Sequence, residues 1–372
     1  MARLLDLPAE LILAIIDYLQ VDMKQTSLLS HRPRYDEGYA LEPPLSANHL
    51  HSLLLANCRL NSLLQPLLYR DIFVYRNVQL KQLTRSLQKN LSLKEHIISA
   101  TLPWHPSMHG SLNDISHFFW FNNLQTLTIH GFYDWDSLEF DNLLIGTSPV
   151  GCPRLIACGA HEEPLTTVLS WPVALKTLHY DVEEHVWGFD YPFPLKLRRW
   201  TCAAFMRALQ RQKATLVELT MTRPLNKRKF IDDGPLLDLS KFTSLKNLRI
   251  YHFFLCRHDP YGVWERLPPS LEVLEIFYDY KDYTAFLWEN GEYDPFILDF
   301  INHKRAHLPY LHTVAIHSTQ KLHDSETGEE LPVGLLTLPS LAREAESAGI
   351  ELKMWLGYQD APTTRKLTFP SL

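Results

Sequence analysis

Apolar residues at Leu11, Ile12, Ile15, Ile16 and Leu19 recur at helical spacing near the N-terminus and predict an amphipathic helix over about residues 8–20. Pro8 suits its first turn, where a missing donor costs nothing, and Glu10 suits the positive end of the helix. From Val21 to Asn48 the periodicity disappears, and His31-Arg32-Pro33-Arg34 and Glu42-Pro43-Pro44 supply turn chemistry instead, which predicts a long mobile loop. Helical spacing resumes with Leu53, Leu54, Leu60, Leu63 and Leu64, breaks near Pro66, and restarts over Leu67–Phe73, completing three short helices. Val78, Leu80, Leu83 and Leu87 predict one more amphipathic helix, and the alternation from Ile98 to Leu102 predicts a strand.

Beyond residue 98 one short phrase recurs: a leucine, two residues, an apolar residue, one residue, an apolar residue. It stands at Leu124–Ile129, Leu175–Tyr180, Leu216–Met221, Leu245–Ile250, Leu271–Ile276 and Leu311–Ile316. A weaker copy starts at Leu155, and Ile350, Leu352 and Met354 alternate as a closing strand. Alternation predicts a strand in each copy, and the phrase is the core of a leucine-rich repeat. The leading leucines are unevenly spaced, with 155 to 175 the shortest step and 175 to 216 the longest. The expectation is a degenerate solenoid with insertions, notably Asp181–Tyr191 and Asp279–Pro295.

Because the apolar members of each phrase must point inward, the third, fifth and seventh positions point to the concave side. The candidate target-binding residues are therefore Thr128, His130, His179, Glu218, Thr220, Arg249, Tyr251, Glu275 and Phe277. Thr126, Thr177, Asn247, Val273, Thr313, Ala315 and His317 occupy equivalent positions. Arg249, Tyr251 and Phe277 are of the types enriched at interface hot spots. If the strands stack in chain order, Glu218 and Glu275 flank Arg249 in a patch of mixed sign.

Composition narrows the classes. At 372 residues the chain exceeds one ordinary core, so at least two units are expected, and 46% hydrophobic against 21% charged residues makes it globular. A net charge of −6 gives no field that attracts phosphate backbones or anionic membranes, so neither nucleic acid nor membrane is an expected partner. Five scattered cysteines, no signal-like segment and no apolar run long enough to span a bilayer point to cytosol or nucleus.

Candidate chemical motifs in the chain are weak. His303 and His307, like His105 and His109, are four residues apart but lack a third ligand at a familiar spacing, so no metal is expected. Gly146-Thr147-Ser148-Pro149-Val150-Gly151 has the frame of a phosphate loop but runs into Cys152-Pro153 where lysine and a hydroxyl residue are needed. Cys152 and Cys158 read as buried neutral cysteines, and Lys227-Arg228-Lys229 as a solvated turn. No nucleophile elbow, kinase signature or dinucleotide fingerprint appears, so no cofactor and no catalytic residue is expected.

Leu7-Pro8-Ala9-Glu10-Leu11 with Ile15-Ile16-Asp17-Tyr18-Leu19, then Ala56-Asn57-Cys58-Arg59-Leu60 and Pro66–Ile72, resembles an F-box, and the helix that follows resembles the connector of F-box proteins in filamentous fungi. Pro8 and Cys58 lie farther apart than is usual in that family, by an insertion of roughly 26 residues, a length whose closure cost grows only logarithmically. The resemblance implies an α+β or α/β repeat architecture: an F-box-like module over 1–75 with its inserted loop at 21–49, a connector at 76–97, an irregular leucine-rich-repeat solenoid over 98–356 and a tail at 357–372. It implies a three-helix bundle that docks on a Skp-type adaptor, and through it a cullin, through Leu7, Pro8, Leu11, Ile15 and Leu53. The repeats would then select a protein substrate for ubiquitination, the chain itself catalysing nothing. The alternative expectation is a non-catalytic binding scaffold that assembles no cullin ligase.

Overall fold

The computed structural model describes residues 7–14, 57–74, 77–103, 115–132, 147–160, 162–182, 200–222, 236–256, 261–278, 295–318, 334–335 and 338–356. The chain divides into two compact units, Met1–His130 with Ser148–Val150, and Gly131–Thr147 with Gly151–Leu372.

In the first unit residues 9–14 are helical (α1), and Ile12 is buried with Leu60 and Leu64 in a small cluster on which Leu7, Leu63, Leu67 and Leu68 pack. Leu60 and Leu64 belong to α2, Cys58–Arg70, whose start is capped by the Asn57 side chain accepting the Arg59 N–H at 2.7 Å. The expected break at Pro66 does not occur. α2 runs through the proline, which removes one backbone hydrogen bond while the leucines on either side of it keep their packing.

Nor is there a third helix over 67–73. Arg70 passes straight into strand β1, Asp71–Phe73, which lies parallel to β2, Ser99–Pro103. The run Ile72-Phe73-Val74 has β-branched and aromatic side chains. The Arg70 carbonyl accepts the Ile98 N–H and the Val74 N–H donates to the Thr101 carbonyl, both at 2.9 Å, so pairing with a distant strand overrides the local helical spacing. Between β1 and β2 come α3, Asn77–Lys89, with Leu80 and Leu87 buried, and a 3-10 turn, Leu91–His96. β2 is in turn parallel to β3, Thr126–His130. Ile72, Ala100 and Leu127 form one buried row, and Leu102 and Ile129 the next.

The second unit repeats the scheme at greater length. Its strands are β4 (Cys152–Cys158), β5 (Thr177–Val182), β6 (Glu218–Thr222), β7 (Asn247–Tyr251), β8 (Val273–Tyr278), β9 (Thr313–Ser318), β10 (Gly334–Leu335) and β11 (Glu351–Leu356). β4 to β9 pair in chain order, all parallel; β11 adds parallel to β9, and β10 pairs antiparallel to β11. The connections carry α4 (Glu162–Ser170), α5 (Cys202–Leu209), α6 (His252–Leu255), α7 (Pro295–His307) and α8 (Pro339–Ser347).

Each recurring phrase does one physical job. Its leading leucine (Leu175, Leu216, Leu245, Leu271, Leu311) is buried where the chain turns into the strand. The residue before each strand then offers one carbonyl to two successive N–H groups of the next: Lys176 to Val217 and Glu218, Val217 to Lys246 and Asn247, Lys246 to Glu272 and Val273, Glu272 to His312 and Thr313. This backbone ladder locks the register, and the rows Leu178, Leu219, Leu248, Leu274, Val314 and Tyr180, Met221, Ile250, Ile276, Ile316 are buried as a result. The final turn closes on Gly349 at φ +72, where a left-handed residue lets the Ile350 N–H reach the Ala345 carbonyl at 2.8 Å. Lys304 and Arg305 of α7 donate to the free carbonyls of Ala348 and Ser347 at that helix end.

In both units, therefore, helices alternate with parallel strands along the chain, an α/β arrangement. Among the described residues ten strands run parallel, and β1 begins at the end of the second helix. This overturns the expected architecture of a separate three-helix F-box bundle followed by an irregular leucine-rich-repeat solenoid. The loop expected at 21–49, most of both proposed insertions and the tail at 357–372 lie outside the described residues.

Candidate interaction face

Alternation leaves one side of the strands polar in each unit. In the first unit Phe73, Thr101 and Thr128 are register partners across β1, β2 and β3, and His130 follows at the end of β3. Phe73 is exposed there, a position that reading 67–73 as helix concealed. In the second unit three rows cross the strands. The first holds Thr177, Glu218, Asn247, Val273, Thr313 and Glu351; the second Arg154, His179, Thr220, Arg249, Glu275, Ala315 and Lys353. The third joins Asp181 to Thr222 and, further along, Tyr251, Phe277, His317 and Trp355.

Depth separates these residues in a way alternation does not reveal. Thr128, His130, His179, Glu218 and Arg249 are only partly buried, whereas Thr220, Tyr251, Glu275 and Phe277 are buried. Within either unit, a partner meeting the polar side as it stands touches members of the first group and not of the second. Tyr251, Phe277, His317 and Trp355 form a continuous stack, with ring centroids 5.7, 4.8 and 4.7 Å apart along it. These rings hold the third row together at spacings typical of favourable aromatic pairs. Trp355 carries no signal in the recurring phrase, because the closing strand that holds it lacks the leading leucine that sets the register of the other copies.

The polar groups of the face are tied to one another. His179 Nε2 lies 3.3 Å from Thr222 Oγ1, which donates to Asp181 Oδ1 at 3.1 Å. Arg249 Nε stands 3.1 Å from Glu275 Oε2. Burial lowers the pKa of His130, His179 and His317 to about 4, and Arg249 adds to the effect on the last two. The three imidazoles are neutral at neutral pH, so the charges of the face are those of its arginines, lysine and carboxylates.

At the N-terminus Leu7 is half-buried on the Ile12, Leu60 and Leu64 cluster, and its carbonyl accepts from Arg59 Nη2 at 3.2 Å. Pro8 and Leu11 are exposed, Leu11 by 51%. Ile15 and Leu53 lie outside the described residues.

Elsewhere the structure offers packing where chemistry was weighed. His303 and His307 lie against Trp264, with centroids 4.4 and 4.0 Å away. Cys158 is fully buried, which pushes its thiol pKa up. Cys256 Sγ meets His252 Nε2 at 2.6 Å, but both side chains are buried, the imidazole packed against Tyr278 and Phe296. Among the described residues no group of three metal-ligating side chains forms, and no helix is long and apolar enough to cross a membrane. No protein-family model matches the chain, and no curated protein matches it either.

Proposed function

We propose that this chain is a non-catalytic substrate-recognition subunit of an SCF-type (Skp, cullin, F-box) ubiquitin ligase. The N-terminal segment that resembles an F-box takes the Skp-type adaptor, and the polar face of the sheet takes a protein target. The observation that carries the reading is the split within Leu7-Pro8-Ala9-Glu10-Leu11: Leu7 is spent on the local core, while Pro8 and Leu11 stay at the surface. An apolar side chain left outside a core already filled by Ile12, Leu60 and Leu64 is the kind of anchor a partner pocket uses. For the target half, strands in fixed register hold Glu218, His179 and Arg249 on a rigid support, the arrangement that recognition by side chains needs. Such a subunit accelerates ubiquitin transfer only by holding a target lysine near the charged conjugating enzyme.

Affinity purification of the tagged full chain tests the reading. Adaptor and cullin should co-purify, and replacing Pro8 and Leu11 together by alanine should reduce both by about tenfold or more, as loss of a central anchor does. Recovery of neither from the parent, or undiminished recovery from a folded double variant, would overturn it. Adaptor without cullin would make the chain a binding scaffold instead.

A further inference from the structure

Three cations stand in one cross-strand row of the second unit. Arg154 is the register partner of His179, His179 of Thr220, and Thr220 of Arg249. Arg249 pairs with Glu275, Glu275 with Ala315, and Ala315 with Lys353. Arg154, Arg249 and Lys353 therefore take the first, fourth and seventh places, each three strands from the next, or about 14 Å at the usual strand spacing.

Between the cations the row is neutral or sunken. Thr220, Glu275 and Ala315 are 7%, 2% and 1% exposed, and His179 is uncharged at neutral pH. Of the two carboxylates expected to flank Arg249, Glu275 lies below the surface beside the guanidinium, and Glu218 stands one row away, with Thr220 in its place. Neither Arg154 nor Arg249 has a carboxylate partner among the described residues other than Glu275. The opposing charges are in the neighbouring row: Glu218 lies opposite Asn247, and Glu351 holds Lys353 at 2.9 Å. Arg154 and Arg249 are thus the strong positions and Lys353 a weaker third.

We infer that the protein target presents an extended acidic segment that crosses the strands along this row, with carboxylates four residues apart. An extended chain advances about 3.3 Å per residue and returns its side chains to the same side every second residue, so carboxylates at i and i+4 sit about 13 Å apart and facing one way. That spacing matches the one between Arg154 and Arg249. Each guanidinium can take a carboxylate with two parallel hydrogen bonds. An acidic polypeptide is favoured over a nucleic acid because a continuous phosphate chain must pass Glu218 and Glu351 with charge at every residue, on a protein of net charge −6.

The test is fluorescence anisotropy of the full chain with a labelled nine-residue peptide carrying glutamate at its first, fifth and ninth positions and serine elsewhere. Adaptor docking plays no part in it, so failure here and failure of the cullin assembly, which belongs to the other half of the proposed function, are read separately. Arg154→Ala and Arg249→Ala should each weaken binding by about tenfold, and added salt should weaken it further. The double variant Arg154→Glu with Arg249→Glu should prefer the corresponding lysine peptide. Since losing Arg249 leaves Glu275 unpaired, Arg249→Ala combined with Glu275→Gln serves as the folded version of that substitution. No saturable binding, equal binding by the folded Arg154→Ala chain, equal binding of a peptide with its glutamates on adjacent residues, or tighter binding of single-stranded DNA of equal charge would each overturn the assignment.

Discussion

Arg249 on β7 and Glu275 on β8 are register partners in adjacent parallel strands, with Nε of the one 3.1 Å from Oε2 of the other. Their side chains sit at different depths, 31% and 2% exposed. The approach is close enough for strong Coulomb attraction but misaligned for a hydrogen bond, so Oε2 has no donor of its own among the described residues. Burial raises the pKa of Glu275; the neighbouring Arg249 opposes the rise and Glu218 adds to it.

Replacing Arg249 by alanine should therefore destabilise the fold by on the order of 2 kcal/mol, less than a fully buried pair would cost because water screens the exposed half of the guanidinium. The penalty has a definite pH dependence. A carboxyl whose folded pKa lies above its unfolded one contributes stability that is complete below the unfolded value and lost as pH rises through the folded value. Measured by urea unfolding as the difference from the parent, the Arg249→Ala defect should be largest at neutral pH and shrink towards the ordinary carboxylate range. Glu275→Gln in the same background should remove the trend.

Gln212, buried at the end of the 3-10 turn after α5, has every hydrogen-bonding valence filled. Nε2 donates to the Leu169 and Pro172 carbonyls at 3.0 and 3.1 Å, and Oε1 accepts from the Leu175 N–H at 3.1 Å and Thr215 Oγ1 at 2.9 Å. It fastens the end of α4 and the turn into β5 in one place. Gln212→Leu keeps the volume but strands those groups away from water, so the unfolding free energy should fall by about 3 kcal/mol. A variant within about 1 kcal/mol of the parent would mean that water replaces the amide.

The strands were legible because the phrase that makes them is local: Leu-x-x-Leu-x-Ile alternates wherever it occurs, and each full copy is a strand. α3 was legible for the same reason. β1 was not, because three residues are too short for period 2 to outvote the helical spacing of Leu63, Leu64 and Leu67, and only pairing with Ser99–Thr101 decides the matter. Pro66 misled because a proline inside a helix costs one hydrogen bond that tertiary packing can outweigh. On the face, side-chain direction followed from alternation but depth did not. Glu275, Tyr251 and Phe277 point to the polar side and are nonetheless buried, a property of what surrounds them and not of their own strands. The cationic row was hidden for a further reason: it exists only once β4 and β11 are placed in register with the regular copies.

His317 links stability to acid. Stacked between Phe277 and Trp355, it has a pKa lowered from 6.5 to about 4, by burial first and by Arg249 second. A group with a depressed folded pKa contributes stability that is present above its unfolded pKa and lost as pH falls through the folded one, here between 6.5 and about 4. A shift of this size corresponds to on the order of 3 kcal/mol. Urea midpoints followed down that range should fall, and His317→Phe should flatten the decline while keeping the ring stack. An equally steep decline in the variant would assign the acid sensitivity to His130 and His179, which carry the same shift.

Leu7 and Leu11 separate folding from docking within five residues of chain. Leu7 packs on Ile12, Leu60 and Leu64, so Leu7→Ala should cost about 1–2 kcal/mol of stability, below the full price of a core leucine because the side chain is only partly enclosed. Leu11 faces outward, so Leu11→Ala should leave stability within about 0.5 kcal/mol of the parent. If Leu11 is an anchor for the Skp-type adaptor, the same substitution should nonetheless weaken adaptor binding by about tenfold or more. Calorimetry of the purified pair reads the affinity and thermal unfolding of the free chain reads the stability. A Leu11→Ala chain that binds normally while Leu7→Ala does not would place the contact on the other side of the segment, where the apolar side chain is shared with the local core.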